Sequence, residues 1–155
     1  MITRVSIRNA APTEAPVLEA LQRRSSDVCK QYREQLAAHP DAIELPQAYI
    51  DNQWVRVAVD MESAPLGFSA VVPTSALVHE LDGLFVEPGH MSSGIGRALI
   101  HDAAARASAR GAEALEVTVG PAQGFYERVG FNLIGAADTR FGPAVRMRRN
   151  LRLPS

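Results

Sequence analysis

Alternating hydrophobic and polar residues predict several strands in the first half of the chain. Val5 and Ile7 alternate with polar neighbours, as expected of a strand with one buried face. Two further hydrophobic runs, at residues 54–59 and 66–72, are separated by a short turn-forming segment and predict an antiparallel hairpin. Another run, over residues 77–86, ends at a Pro-Gly turn and extends this meander.

Hydrophobic residues at helical spacing predict helices around these strands. The first helix follows Pro12 and Pro16, which suit a first turn, and ends at Arg23-Arg24. A second helical pattern covers residues 26–38, and the turn formers of residues 39–52 predict an irregular connection. The later patterns predict a helix at 94–110, a strand at 114–119, a helix at 122–129, and strands at 131–136 and 144–151.

The order of these elements predicts an α/β fold with α+β character. Its mixed, mostly antiparallel central sheet has about seven strands, flanked by about four helices. The helix at 94–110 joins two strands that we expect to run parallel, because such a crossover needs a long connection. A ligand is expected where the sheet edges part. One domain over residues 1–155 is predicted, since domains typically span roughly 100–200 residues.

Composition and charge narrow the classes of function. A formal net charge of −1 lacks the broad positive surface of a nucleic-acid-binding protein. The lone Cys29 excludes an internal disulfide and a multi-cysteine zinc site, and we expect it to be a small core residue. No apolar run approaches the ~20 residues that cross a bilayer. We therefore expect a cytoplasmic protein that binds neither nucleic acid nor membrane and holds no metal.

Glycines at the start of the predicted helix 94–110 indicate an anion site. A strand ends, a Ser/Gly-rich turn follows, and a helix begins, so its first N–H groups lack partners at the positive end of the helix dipole. Gly94 and Gly96 let an anion approach these groups closely. Two interpretations of this pattern stay open: a phosphate site formed by the amides of residues 92–97, or a tight turn without a ligand.

Two segments resemble motifs of the GNAT superfamily, the acyl-CoA-dependent N-acetyltransferases. The run Leu84-Phe85-Val86-Glu87-Pro88, with Gly94-Ile95-Gly96-Arg97 after it, is similar to the family's strand end and phosphate loop. Downstream, Phe125-Tyr126 and Gly130-Phe131 complete its Phe-Tyr-x-x-x-Gly-Phe signature. The predicted order of elements follows the same family fold along essentially all 155 residues.

The chain departs from the family pattern at two places. Met91 replaces the Arg or Gln that begins the phosphate loop, and Ser92 and Ser93 follow where Gly and Arg or Lys are common. A charge-assisted hydrogen bond contributes about 1.5–3 kcal/mol, so we expect weaker CoA binding rather than none. The stretch 119–121 lacks the family's Asn, which removes a polar contact to the pantetheine arm.

The resemblance implies transfer of an acetyl group from acetyl-CoA to a primary amine, by direct attack through a tetrahedral intermediate. It assigns the oxyanion contact to the N–H of Val86 or a neighbour, and the proton for the leaving thiolate to Tyr126. A core aromatic with its hydroxyl at the rim is the alternative interpretation of Tyr126. The residues implied to bind acetyl-CoA are Leu84, Phe85, Val86, Met91, Ser92, Ser93, Gly94, Ile95, Gly96, Arg97, Phe125 and Tyr126.

Glu80 and Asp82 are the candidates for the general base. They lie two residues apart on one strand, so their side chains share a face, and burying both without partners would be costly. Glu80 lies four residues before Leu84 and thereby matches the general-base glutamate of histone-type family members, with Asp82 as the second candidate. A structural salt bridge to an arginine is the alternative role. The arginine run at 146–149 is predicted to form a solvated edge or a substrate rim.

The resemblance leaves the acceptor as a small-molecule or peptide amine, and it allows a homodimer, since many members dimerise. A second hypothesis is a non-catalytic acyl-CoA-binding or sensing domain in which Met91 reflects lost activity. The presence of both Glu80 and Tyr126 favours the enzyme.

Overall fold

Strands and helices alternate along the chain much as the hydrophobic pattern predicts. The computed structural model describes residues 5–28, 34, 37–38, 43–91 and 93–151, in which seven strands and four α-helices have defined bounds. The strands are β1 (Ser6–Asn9), β2 (Val55–Val59), β3 (Pro65–Pro73), β4 (Val78–Val86), β5 (Ala114–Val119), β6 (Asn132–Thr139) and β7 (Gly142–Asn150). The helices are α1 (Ala15–Asp27), α2 (Gln47–Asp51), α3 (Ile95–Ala109) and α4 (Gln123–Arg128).

The seven strands form one mixed sheet in the order β1-β2-β3-β4-β5-β7-β6. The predicted hairpin is confirmed, since β2 pairs antiparallel with β3. The predicted parallel crossover is also confirmed: β4 runs parallel to β5, in the register Val78↔Ala114 to Glu80↔Glu116. This ladder has three residue pairs, while β4 continues for six residues beyond it, to Val86.

By its internal contacts the chain divides into two compact units. The first, here called the loop unit, comprises Met1–Ala70 and Gly83–Leu99; the second, the carboxylate unit, comprises Val71–Asp82 and Ile100–Ser155. In the loop unit, leucines 18 and 21 of α1 pack against the inward residues of β2 and against Phe68, all of them almost fully buried. Burial of such side chains contributes about 1.5–3 kcal/mol each, so this cluster anchors α1 on the sheet.

Buried residues also organise the carboxylate unit. Leu115, Val117 and Val119 of β5 and Met147 of β7 are buried. Glu116, Arg146 and Arg148 are their neighbours in the sequence, so the period of two places these three charged residues on the opposite face of the strands. His79 and Leu81 of β4 are buried as well.

Three local predictions differ from the structure or fall outside it. The first helix continues through Arg23-Arg24 to Asp27, because basic residues suit the last turns of a helix without ending it. Residues 47–51, predicted as part of an irregular connection, form α2, which follows directly on Pro46. Of the second helix predicted over residues 26–38, Ser26 and Asp27 belong to α1, and Glu34, Ala37 and Ala38 are helical; Cys29 lies outside the described residues.

Candidate active site

The last residues of β4 present two backbone N–H groups on the edge that faces away from β3. The N–H of Glu87 donates to the carbonyl of Leu66 at 2.7 Å, so at this end of β4 the odd-numbered residues direct their backbone groups towards β3. Because neighbouring residues of a strand direct their backbone groups to opposite edges, the N–H groups of Leu84 and Val86 lie on the other edge. That edge pairs with β5 only at Val78–Glu80. The side chains of Leu84 and Val86 pack on a core cluster with Ile95 and Leu99.

A tight turn carries the chain from β4 into α3. Residues Pro88–His90 form one turn of 3₁₀-helix, and the hydroxyl of Ser93 donates to the carbonyl of His90 at 2.6 Å. Gly94 has φ +85°, a conformation that glycine adopts without strain, and nothing lies within 4 Å of the Cβ that another residue would place there. Open space therefore borders the backbone at the point where α3 begins.

The first turn of α3 has N–H groups that bond to no residue the structure describes. The earliest helical bond runs from the N–H of Ala98 to the carbonyl of Gly94 at 3.0 Å. The N–H groups of Ile95, Gly96 and Arg97 precede it and have no acceptor within the helix. Arg97 is exposed, and its guanidinium makes no hydrogen bond or ion pair with the other described residues. These donors, the helix dipole and the guanidinium together suit a phosphate group.

Other residues that were predicted to bind acetyl-CoA near this loop have different environments. Met91 is 42% exposed and stands beside the turn with an apolar side chain. Ser92 lies outside the described residues. Phe85 is half-buried, and its ring lies 5.3 Å from that of Phe68, which directs it into the core.

Two residues that the sequence analysis did not single out shape this part of the site. A Cβ on Gly67 would lie 2.8 Å from the carbonyl oxygen of Phe85 and 3.2 Å from Ile95, so the close packing of β3 requires glycine. Arg24 of α1 binds Glu87 through two hydrogen bonds of 2.8 Å each. The bonds from Arg24 are the largest cause of the lowered pKa of Glu87. This pair joins α1 to the end of β4.

In the carboxylate unit, Glu80 belongs to an ion-pair network that is centred on Arg146. Arg146 of β7 donates to both carboxylate oxygens of Glu80, at 2.6 and 3.0 Å. The same guanidinium donates to Glu116 at 2.9 Å and to the hydroxyl of Thr118 at 2.7 Å. Arg148 completes the network with a bond of 2.9 Å to Glu116. The hydrogen bonds with Glu80 are the largest cause of the raised pKa of Arg146.

This network corrects one interpretation of the sequence. The arginine run does not form only a solvated edge, because Arg146 and Arg148 pair with carboxylates on neighbouring strands. Its charges do divide between faces, as expected of a strand: Arg149, one residue on, instead donates to the carbonyl of Val129 at 3.2 Å. A salt bridge of the predicted kind thus exists at Glu80.

The other titratable groups of β4 differ in environment. Asp82 is exposed, and no hydrogen bond or ion pair joins its carboxylate to another described residue. His79 is buried, and burial, followed by the charge of Arg110, lowers its pKa. His79 is therefore a neutral packing residue near pH 7.

Aromatic contacts orient Tyr126 on α4. Its ring meets those of Phe125 and Phe131 edge to face, with centroids 5.1 and 5.4 Å apart. Phe131 is almost fully buried, whereas Phe125 and Tyr126 are half-buried. Aromatic pairs prefer this edge-to-face geometry, so the ring plane of Tyr126 is fixed from two sides.

Fold, loop and sequence together define an acetyltransferase. The family model for the acetyltransferase (GNAT) domain matches residues 51–133, and the chain belongs to this family. The match includes β4, the glycine turn and α4, so the predicted family, fold class and acetyltransferase activity are confirmed.

Particular relatives extend the match over most of the chain. The peptidyl-lysine N-acetyltransferase YjaB of Salmonella typhimurium is 27% identical over 134 residues, which are 86% of this chain and 88% of that protein. The solution structure of apo YjaB from Escherichia coli is 25% identical, with a TM-score of 0.69, and the match covers 94% of this chain and 97% of that one. The PaiA N-acetyltransferase of Thermoplasma acidophilum, crystallised with coenzyme A, shares the fold at a TM-score of 0.76 and 18% identity, covering 95% and 99%.

Two kinds of feature are absent from the described residues. They contain no helix long and apolar enough to cross a membrane. They also contain no group of three or more His, Cys, Asp and Glu side chains arranged to hold a metal ion.

Proposed function

We propose that this chain transfers the acetyl group of acetyl-CoA to a primary amine, and that the amine is a lysine side chain of a peptide or protein. The observation that carries the proposal is the loop unit's glycine turn. It joins the edge of a strand, where N–H groups point away from β3, to the start of a helix whose first amides have no acceptor within that helix. Relatives named as peptidyl-lysine N-acetyltransferases support the choice of acceptor.

The backbone of the loop unit suits the elongated, anionic shape of acetyl-CoA. The amides of Ile95, Gly96 and Arg97 would bind the pyrophosphate, and the edge of Leu84–Val86 would pair with the amides of the pantetheine arm as an added strand does. The thioester supplies an acyl group that is activated for attack by an amine. The N–H of Val86 would then stabilise the negative charge that develops on the carbonyl oxygen.

Proton transfers require an acid and a base. Tyr126 is the proposed acid, which donates a proton to the sulfur of the departing CoA thiolate. Its ring, held by Phe125 and Phe131, has the fixed orientation that a proton donor needs. Glu80 is the proposed base, acting on the amine directly or through one water, and Asp82 is the alternative.

The pairing of Glu80 with Arg146 is compatible with a base. An ionised carboxylate offers about four acceptor positions on its two oxygens. Arg146 occupies two of them, so Glu80 keeps positions for a water or an amine N–H. Asp82, exposed two residues farther along β4, suits an electrostatic contact with a cationic acceptor.

Release of free CoA thiol tests the proposal. Purified protein is mixed with acetyl-CoA and lysine-containing peptides, with matched peptides carrying Nε-acetyl-lysine as controls, and the product is located by mass spectrometry. We expect thiol release only with free lysine, and a mass gain of one acetyl group on it. Turnover with other amines but not with lysine would contradict the choice of acceptor. Binding of CoA without turnover of any amine would contradict the enzyme activity itself.

A further inference from the structure

Two carboxylates stand side by side in the carboxylate unit. The parallel register pairs Glu80 of β4 directly with Glu116 of β5. Adjacent strands lie about 4.8 Å apart, and like charges at directly neighbouring positions repel each other. Both side chains are partly buried, at 20% and 18% exposure, where solvent screens this repulsion less than at the surface.

Arg146 compensates for this repulsion through its position in the register. It is paired with Thr118, two residues beyond Glu116 on β5, and reaches back diagonally to both carboxylates. Its planar guanidinium donates two hydrogen bonds to the carboxylate of Glu80, a geometry that only arginine provides. The hydroxyl of Thr118 holds the guanidinium from a third direction.

We propose that Arg146 is a positioning residue of the transfer reaction: it keeps the carboxylate of Glu80 aligned and separated from that of Glu116. This inference rests on the proposed function and adds a residue for which the sequence showed no role of this kind. Because both oxygens of Glu80 are held by Arg146, the carboxylate plane is fixed, and its remaining acceptor positions have a fixed direction. A base gains efficiency when its geometry is set before the substrate arrives.

Removal of Arg146 therefore has an electrostatic consequence. Among the described residues of this unit, the charged groups around Glu80 are Asp82, Glu116, Arg146 and Arg148. In Arg146→Gln, Glu80 would keep its acidic neighbours and lose its paired cation. Carboxylates that share a site without a cation retain a proton to higher pH than isolated ones do, so the loss of Arg146 should be visible in the pH dependence of the reaction.

The test is the pH profile of kcat/KM with one lysine peptide for every variant. The amine of the peptide titrates identically in all of them, so differences between profiles report on the protein. We expect the acidic limb of Arg146→Gln to move to higher pH by at least one unit, and Arg146→Lys, which keeps the charge, to move less. Arg8→Gln breaks an equally two-bonded pair with Glu14 in the loop unit and is the matched control. Its profile should not move.

A second measurement does not depend on turnover. Carbon-13 NMR of the glutamate carboxyl carbons, with the Glu80 signal identified from Glu80→Gln, follows its titration directly. We expect the Glu80 signal to titrate at higher pH in Arg146→Gln than in the unchanged chain, and Arg146→Lys provides the comparison where Arg146→Gln folds poorly. An unchanged Glu80 titration, or a shifted titration with an unshifted rate profile, overturns the inference. Absence of turnover in the unchanged chain overturns the proposed function instead, and the catalytic part of this inference with it.

Discussion

The replacement Gly67→Ala probes how closely the sheet approaches the loop and helix that we assign to acetyl-CoA. The added Cβ would lie 2.8 Å from the carbonyl oxygen of Phe85, with Ile95 at 3.2 Å and Leu99 at 3.3 Å. Carbon atoms normally approach a carbonyl oxygen no closer than about 3.3 Å. The backbone of Phe85 must therefore move by about 0.5 Å, and two fully buried side chains limit any movement in the other direction.

The expected cost follows from this geometry. Overfilling a packed core destabilises a protein by about 1–3 kcal/mol, which lowers Tm by about 2–12 °C for a chain of this size. Phe85 and Ile95 belong to the proposed acetyl-CoA site, so the same displacement should weaken CoA binding several-fold. Gly135→Ala is the matched control, because nothing lies within 4 Å of its added Cβ and its φ is ordinary.

Thermal unfolding and calorimetric titration with CoA measure both effects. We expect Gly67→Ala to lower Tm and raise the Kd for CoA, and Gly135→Ala to change neither. Equal Tm values for the two variants would refute the packing argument. A lowered Tm with an unchanged Kd would show that the end of β4 around Phe85 does not contribute to CoA binding.

Four further outcomes are expected. Tyr126→Phe should lower kcat at least tenfold with little change in the Kd for CoA, and an unchanged kcat would remove the hydroxyl from the mechanism. Met91→Arg should tighten CoA binding in calorimetry; no gain would place the pyrophosphate elsewhere. Ser69→Ala should stabilise the fold by about 1 kcal/mol, because the buried hydroxyl of Ser69 has no hydrogen-bond partner among the described residues; a lower Tm would argue against this. Arg8 lowers the pKa of Glu14, so the pair stabilises the fold above about pH 4.3 and less as pH falls through the lower folded-state pKa; urea unfolding of Arg8→Gln should show its loss at pH 7 and a smaller loss at pH 3.

In the loop unit, the role of Gly94 could be predicted from the sequence, whereas that of Gly67 could not. Gly94 was predicted from its place between a strand and a helix, and its φ of +85° shows the local conformation that such a turn needs. Gly67 has an ordinary φ and lies inside a strand, so no local pattern marks it. Its role depends on Phe85, Ile95 and Leu99, which only the folded chain brings against it.

In the carboxylate unit, too, some features follow from the sequence and others only from the fold. Alternation in β4 placed Glu80 and Asp82 on one face, and the arginine run was expected to divide between faces, because both follow from the period of a strand. That Glu80 is paired and Asp82 is not depends on the register of β5 and β7, which places Arg146, 66 residues away, beside one carboxylate only.

The sequence by itself determined the secondary-structure elements, the order of most of them along the chain, and the family whose two motifs they carry. Periodicity and turn residues act over a few positions, so they can be recognised without the fold. Tertiary structure decided which carboxylate meets an arginine, which glycine permits close packing, and how Arg24 joins α1 to the end of β4. These are contacts between residues distant in the chain, and their energies depend on distances that only strand register and helix packing establish.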